Sequence, residues 1–162
     1  MGKYHWSVEQ TEQLRQLILA HNNILILPHT APDGDALGST LAWAKVLQAV
    51  HPTAKVRVLS PDYIENYISW LPYIDELLIY PEEETACLRT VANAGLIIHL
   101  DHNQSSRLRY APLVEAVNQA QSPHILIDHH LDPDPTFTLC FSYPEASATC
   151  ELVHALILSL GW

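Results

Sequence analysis

The chain reads as an α/β protein: a doubly wound, mostly parallel five-stranded sheet with helices on both faces. Three observations carry this reading. Five short apolar runs recur along the 162 residues. Segments with helical spacing lie between them, and such alternation implies right-handed crossovers between parallel strands. Three of the runs are nearly continuous Ile and Leu, as expected of strands covered on both faces.

The order begins with a helix. Ser7 and Gln10 form a capping box, and the helix runs to about Ala20. The first strand is ILIL at 24–27. Leu37, Leu41, Ala44, Lys45 and Gln48 mark a second helix, which stops before Pro52. Residues 55–59 give the second strand, 61–71 a short helix and 76–80 the third strand. Pro81 opens a longer helix to Ala94, with Glu82, Glu83 and Glu84 in its first turn, where the helix dipole favours carboxylates. A fourth strand at 96–100, a helix at 112–121 and a fifth strand at 124–127 follow. Residues 131–143, with Pro133, Pro135 and two aspartates, are expected to form a loop. The last helix, 145–160, ends on Gly161 as its cap. Its wide apolar face of Leu152, Val153, Leu156, Ile157 and Leu160 is expected to stay partly uncovered and to favour a homo-oligomer.

Eight basic and 18 acidic residues give a formal charge of −10. That excludes a general binder of duplex DNA, which needs a basic face to release counterions. It leaves room for a small anionic substrate held by bound cations. An apolar share of 48% against 16% charged excludes intrinsic disorder. Cys87, Cys140 and Cys150 are odd in number and form no C-x-x-C pair, which points to a reducing compartment. The opening MGKYHWSVEQTEQL lacks a signal-peptide core, and Trp6 stands where myristoylation of Gly2 would need Ser or Thr. No apolar stretch approaches the ~20 residues that span a bilayer. A cytoplasmic chain without membrane contact is expected.

Chemistry concentrates after three strands. The first is followed by Pro28-His29-Thr30-Ala31-Pro32-Asp33-Gly34-Asp35, with Gly38 and Ser39 close behind. The fourth is followed by Asp101-His102-Asn103 and then Arg107, the fifth by Asp128-His129-His130. Ligands bind outside the carboxyl ends of strands in an open parallel sheet, so all three clusters should meet on one edge. Four aspartates in one crevice repel each other unless cations are present. Mixed imidazole and carboxylate donors suit Mn²⁺, Zn²⁺ or Fe²⁺ better than Ca²⁺. Their number suits two ions, and a pair about 3.5–4 Å apart is a recurrent device for hydrolysing phosphate esters. A nucleotide-redox function is excluded, since no G-x-G-x-x-G follows the first strand.

His29-x-x-x-Asp33-x-Asp35 with Gly38-Ser39 resembles the first motif of the DHH phosphoesterases. Asp101 resembles the second motif and Asp128-His129-His130 the third. The segment 146–152 is similar to the Ser/Thr-rich stretch that follows in that family. The resemblance covers about 22–162. In Leu100-Asp101-His102-Asn103 followed by Ser106-Arg107-Leu108 it comes nearest to the oligoribonuclease/pAp-phosphatase branch. RecJ-like exonucleases, cyclic-dinucleotide phosphodiesterases and family II pyrophosphatases are more distant.

The resemblance implies Mn²⁺-dependent hydrolysis of phosphoester bonds in short oligonucleotides or 3′-phosphoadenosine-type nucleotides, by a water that two ions activate. His29, Asp33 and Asp101 would hold one Mn²⁺, and Asp35, Asp101 and His129 the other. His130 would sit beside the substrate phosphate, with Arg107 as a second phosphate contact. Asp128 is expected to orient a histidine rather than bind metal. Gly34 would relieve the backbone between two ligands, and Ser39 would lie in the first turn of a helix whose amino end faces anions. The expected partner is a small nucleotide or a short single-stranded oligonucleotide.

The family's fourth motif, an aspartate on a later strand, is not found in 1–162, nor is its C-terminal substrate domain. The chain is therefore expected to be the amino-terminal part of such a protein, holding two ions or only one. The alternatives are an inactive truncated fragment or non-catalytic metal-binding module, and a family II-like pyrophosphatase. Of the remaining histidines, His99 is expected in the core and His102 at the substrate rim or in solvent. His5, His21, His51, His124 and His154 are expected to be structural or exposed. Cys140 and Cys150 are expected to be packing residues.

Overall fold

Six strands build the sheet: β1 (Asn23–Leu27), β2 (Lys55–Ser60), β3 (Leu78–Ile79), β4 (Leu96–Leu100), β5 (His124–Asp128) and β6 (Leu139–Ser142). They lie in the order β3-β2-β1-β4-β5-β6, and each pairing is parallel. The helices are α1 (Val8–Ala20), α2 (Gly34–Val50), α3 (Tyr80–Ala92), α4 (Ala111–Gln119) and α5 (Thr149–Leu160). The computed structural model describes Tyr4 and residues 6–162; Gly2 and His5 lie outside the described residues.

The pleat divides the Ile/Leu runs between two cores. Ile24 and Ile26 of β1 face α1, α2 and α5, together with Leu14, Leu37 and Leu156. Leu25 and Leu27 face α3 and α4, together with Val91 and Leu113. Helices thus cover both faces, as the continuous apolar strands require. The strand order reverses at β1, which pairs with β2 on one side and β4 on the other. The crevice at such a switch point is where an open α/β sheet binds ligands. No helix among the described residues is long and apolar enough to cross a membrane.

Several elements differ from the sequence reading. The sheet has a sixth strand inside the stretch expected to be a loop. Leu139 and Phe141 are buried while Cys140 and Ser142 are half-buried, a four-residue alternation set among prolines. The expected helix at 61–71 is reduced to one 3₁₀ turn, Asn66–Ile68. The third strand keeps only two residues, because a 3₁₀ turn at Ile74–Glu76 precedes it and Tyr80 already starts α3. The last helix begins at Thr149 rather than 145, and its apolar face is covered except at Ile157, which is half-buried. Leu152, Val153, Leu156 and Leu160 are buried, while Leu158 is 65% exposed. The capping box of Ser7 and Gln10 and the left-handed Gly161 cap are both present.

Candidate metal centre

The loops that leave β1, β4 and β5 converge on one edge of the sheet, and their backbone is under strain there. Ala31, Asp101 and Asp132 have positive φ of 47°, 63° and 56°. Such left-handed conformations cost an L-residue free energy and persist where the surroundings hold them. Asp101 is the central case: it directly follows β4 and is 2% exposed. Its two oxygens point in different directions, Oδ2 lying 3.5 Å from His29 Nε2 and Oδ1 3.4 Å from His129 Nε2.

Both histidines are held in the same tautomer. His29 Nδ1 lies 2.6 Å from Thr30 O, and His129 Nδ1 lies 3.2 Å from Ala146 O. A carbonyl can only accept, so each Nδ1 carries the proton and donates it. In a neutral ring Nε2 then has a bare lone pair, aimed at a carboxylate oxygen. Two lone pairs face each other without benefit unless a cation or proton stands between them. Burial disfavours the charged ring of His29, but the Asp101 carboxylate and the Thr30 carbonyl outweigh it and hold its pKa above the ordinary value. Asp101 is the mirror image. Burial pushes its carboxyl up, the nearby His29 ring and the hydrogen bond from Thr149 pull it down, and it ends below the ordinary value. The pair therefore attracts positive charge to the gap.

The ligand atoms of two triads come within 4.8 Å of one another: His29, Asp33 and Asp101, and Asp101, His129 and His130. They share Asp101. Asp33 also caps α2, its Oδ1 accepting from the N–H groups of Asp35 and Ala36. Asp35 points at the start of α5, where it accepts from Thr149 N at 2.7 Å and Cys150 N at 2.8 Å. It stays at the rim of the second triad, with Oδ2 3.7 Å from His129 Nε2. Asp128 is fully buried, and its Oδ1 accepts from His130 Nδ1 at 2.8 Å. That fixes the His130 ring and leaves its Nε2 for other work. The other oxygen, Asp128 Oδ2, is buried without a hydrogen-bond partner among the described residues. Arg107 ties its carbonyl to Thr30 N at 2.9 Å, and its positive charge opposes protonation of His29. All eight residues singled out from the sequence, His29, Asp33, Asp35, Asp101, Arg107, Asp128, His129 and His130, thus sit on the loops of this one edge or on the strand and helix ends beside them. The donor set, three imidazoles and two carboxylates with Asp101 common to both triads, fits divalent transition ions.

The structure adds Thr149. It is fully buried at the first turn of α5, and its Oγ1 donates to Asp101 Oδ1 at 2.8 Å. One residue thereby joins two carboxylates of the edge, Asp35 through its N–H and Asp101 through its hydroxyl. The signal was the Ser/Thr-rich stretch 146–152, whose position on the far helix is invisible along the chain. Other expectations fail. His102 is fully buried, with its nitrogens 3.1 Å from Gln104 O and Leu27 O. Burial pushes it down to about 4, so at neutral pH it carries one proton and pins the Asp101 loop to the end of β1. Gly34 has no left-handed φ, and a Cβ there would meet nothing within 4 Å. Ser39 is buried and donates to Ala36 O at 3.1 Å, so it offers nothing to an anion. Gly38 matters instead, because a Cβ would meet Cys150 Sγ at 3.1 Å where α2 meets α5. Burial and nearby carboxylates push the Cys150 thiol up to about 12, which fits a packing residue.

Residues 23–160 match the family model described as the DHH family, N-terminal domain. The bifunctional oligoribonuclease and PAP phosphatase NrnA of Mycoplasma pneumoniae is 30% identical over 148 residues, covering 90% of this chain and 42% of NrnA. The cyclic-di-AMP phosphodiesterase PdeA of Listeria monocytogenes is 23% identical over 155 residues, 90% of this chain and 22% of PdeA. Among solved structures, an exopolyphosphatase-related protein from Bacteroides fragilis superposes with a TM-score of 0.92 at 28% identity, over 99% of this chain and 46% of its own. The manganese-bound exonuclease RecJ shares the fold at a TM-score of 0.50 and 17% identity, over 94% of this chain and 36% of its own. The chain spans less than half the length of each of these proteins.

Proposed function

We propose, from the premise that this chain belongs to the DHH family, that it hydrolyses phosphoester bonds of short single-stranded oligonucleotides or pAp-type nucleotides with Mn²⁺. One observation carries the proposal: the bare Nε2 atoms of His29 and His129 aim at the two oxygens of Asp101. Lone pairs brought together in this way are what a pair of cations would separate. His29, Asp33 and Asp101 would hold one ion. Asp101 and His129 would hold the other, with Asp35 completing the set from the rim. When bound, two such ions supply hydroxide near neutral pH and neutralise phosphoryl oxygens.

The chain's own residues do the rest. Asp101 and the two carbonyl-bound histidines are fixed before any ligand arrives, so little reorganisation is needed. Asp128 orients His130 through Nδ1, and a doubly protonated His130 ring would donate from Nε2 to a phosphate oxygen. Arg107, on the adjoining loop, offers a planar guanidinium to the same group. The activities of the relatives NrnA and PdeA support a phosphoester substrate, and the manganese bound to RecJ supports that metal. A phosphoanhydride substrate is a second reading, supported by the exopolyphosphatase-related neighbour.

Calorimetry with Mn²⁺ and phosphate release from pAp, short RNA and tripolyphosphate test this together. The expected result is release from pAp or RNA that needs both Mn²⁺ and Asp101. Preferential release from tripolyphosphate would favour the anhydride reading. Mn²⁺ binding without release would make the chain a non-catalytic metal-binding module. Binding unchanged in Asp101→Asn would overturn the ligand set.

A further inference from the structure

We infer a second anion site, for a small phosphate-bearing ligand, at the opposite end of the sheet from the metal centre. It is a groove of about 350 Å³ between the first residues of β1 and β2 and the last turns of α3. Ten residues line it; they include Lys55, Arg57 and Arg89 and not one Asp or Glu. The whole chain has only 8 basic residues against 18 acidic, so this lining runs against the composition.

These three cations are also unmatched. Arg15, Lys45 and Arg109 pair with Glu12, Glu76 and Asp62. Lys55, Arg57 and Arg89 have no carboxylate partner among the described residues. The pleat explains why two of them meet: Val56 and Val58 are buried against α2, so Lys55 and Arg57 emerge together on the α3 side. Arg89 reaches the same space from the last turn of α3. The carbonyl end of that helix disfavours an anion. Asn93 blunts this by donating both its N–H and its Nδ2 to Arg89 O.

Two guanidinium forks and one ammonium match phosphate oxygens in geometry and charge. Leu25, Ala86 and Ala94 supply an apolar wall beside them. The volume lies at the small end of ligand sites, enough for a phosphate with a modest organic group. β1 has five residues. At ~3.3 Å per residue the groove stands about 15 Å from the metal centre, so one ligand cannot occupy both.

The test is an amide-resolved NMR titration of the chain with pyrophosphate and with AMP, in EDTA so that no divalent ion recruits anions to Asp101. Shifts are expected at 23–25, 55–57 and 86–94, weakening as salt rises. Arg57→Gln with Arg89→Gln should retain the parent spectrum, since both side chains are exposed, and weaken binding about tenfold or more. Lys55→Gln should weaken it less. Tighter binding of AMP would assign a phosphomonoester with an organic group, and tighter pyrophosphate a bare polyphosphate; both support the site. No shifts by about 10 mM probe, shifts confined to the metal-centre loops, or equal affinity in the double variant would overturn it.

Discussion

Asp101 combines a left-handed backbone, near-complete burial and four polar neighbours: His29, His129, His130 and Thr149. Its geometry therefore depends on those neighbours. Thr149→Val keeps the shape and removes the hydroxyl that holds Oδ1. Loss of such an outer partner typically costs about 10–100-fold in metal affinity. Calorimetry should show Mn²⁺ binding at least about tenfold weaker in Thr149→Val and near the parent in Thr149→Ser. Equal affinity in the valine variant would remove Thr149 from the site. Asp62 offers a pH test at a carboxyl that is not among the candidate ligands, although it accepts from Thr30 beside His29. Burial raises its carboxyl, but Thr30, the Tyr63 N–H and the Arg109 guanidinium outweigh this and hold it below the ordinary value of 3.8. A depressed folded pKa stabilises above the unfolded value, and the stabilisation is lost as pH falls through the folded value. Asp62→Asn should therefore lower the melting temperature at neutral pH, and the difference from the parent should vanish in strong acid. A difference that persists there would assign the effect to packing rather than charge.

Among the elements, β6 most changes the picture of the edge. It pairs with β5 from Ile125 to Asp128, so it supports the strand that delivers Asp128, His129 and His130. Its anchor is Phe141, fully buried in the core, with the Trp6 ring edge-on at 5.8 Å. Phe141→Ala should destabilise the fold by about 3–5 kcal/mol, measured by urea unfolding. A cost below about 1 kcal/mol would mean that β6 is not integral to the sheet. The strand was hard to see because four residues give too short an alternation to stand out beside Pro133, Pro135 and Pro144. β1, β4 and β5 posed no such difficulty, since their apolar runs are continuous and match their burial on both faces. α5 illustrates the other limit. Its apolar face was legible, but not its cover: Trp43 of α2 lies 6.0 Å from the Trp162 ring, and Arg15 of α1 sits over that ring.

For the whole molecule, a cation that binds only the folded chain must stabilise it. At about 100 times the dissociation constant the linkage term is ~2.7 kcal/mol. For a chain of this size that raises Tm by about 5–10 °C. Scanning calorimetry should show this rise with Mn²⁺, its reversal by EDTA, and little of it in Asp101→Asn. A Tm indifferent to Mn²⁺ would count against binding to the native state.

Local chemistry was enough to determine the α/β class, the parallel sheet and the three clusters that share one edge. Period-two and helical spacing are written residue by residue, and the binding of ligands outside the carboxyl ends of parallel strands turns them into a place. The family resemblance rests on the same contiguous motifs. What only the tertiary structure decided is which atoms meet. His102 is a buried brace because Leu27 O stands 3.1 Å from its ring, and Thr149 reaches Asp101 across 48 residues of sequence. The groove of Lys55, Arg57 and Arg89 exists only because α3 returns to the start of β2. Hydrogen bonds and charge pairs act over a few ångströms in space, and a folded chain brings together groups that sequence spacing leaves far apart.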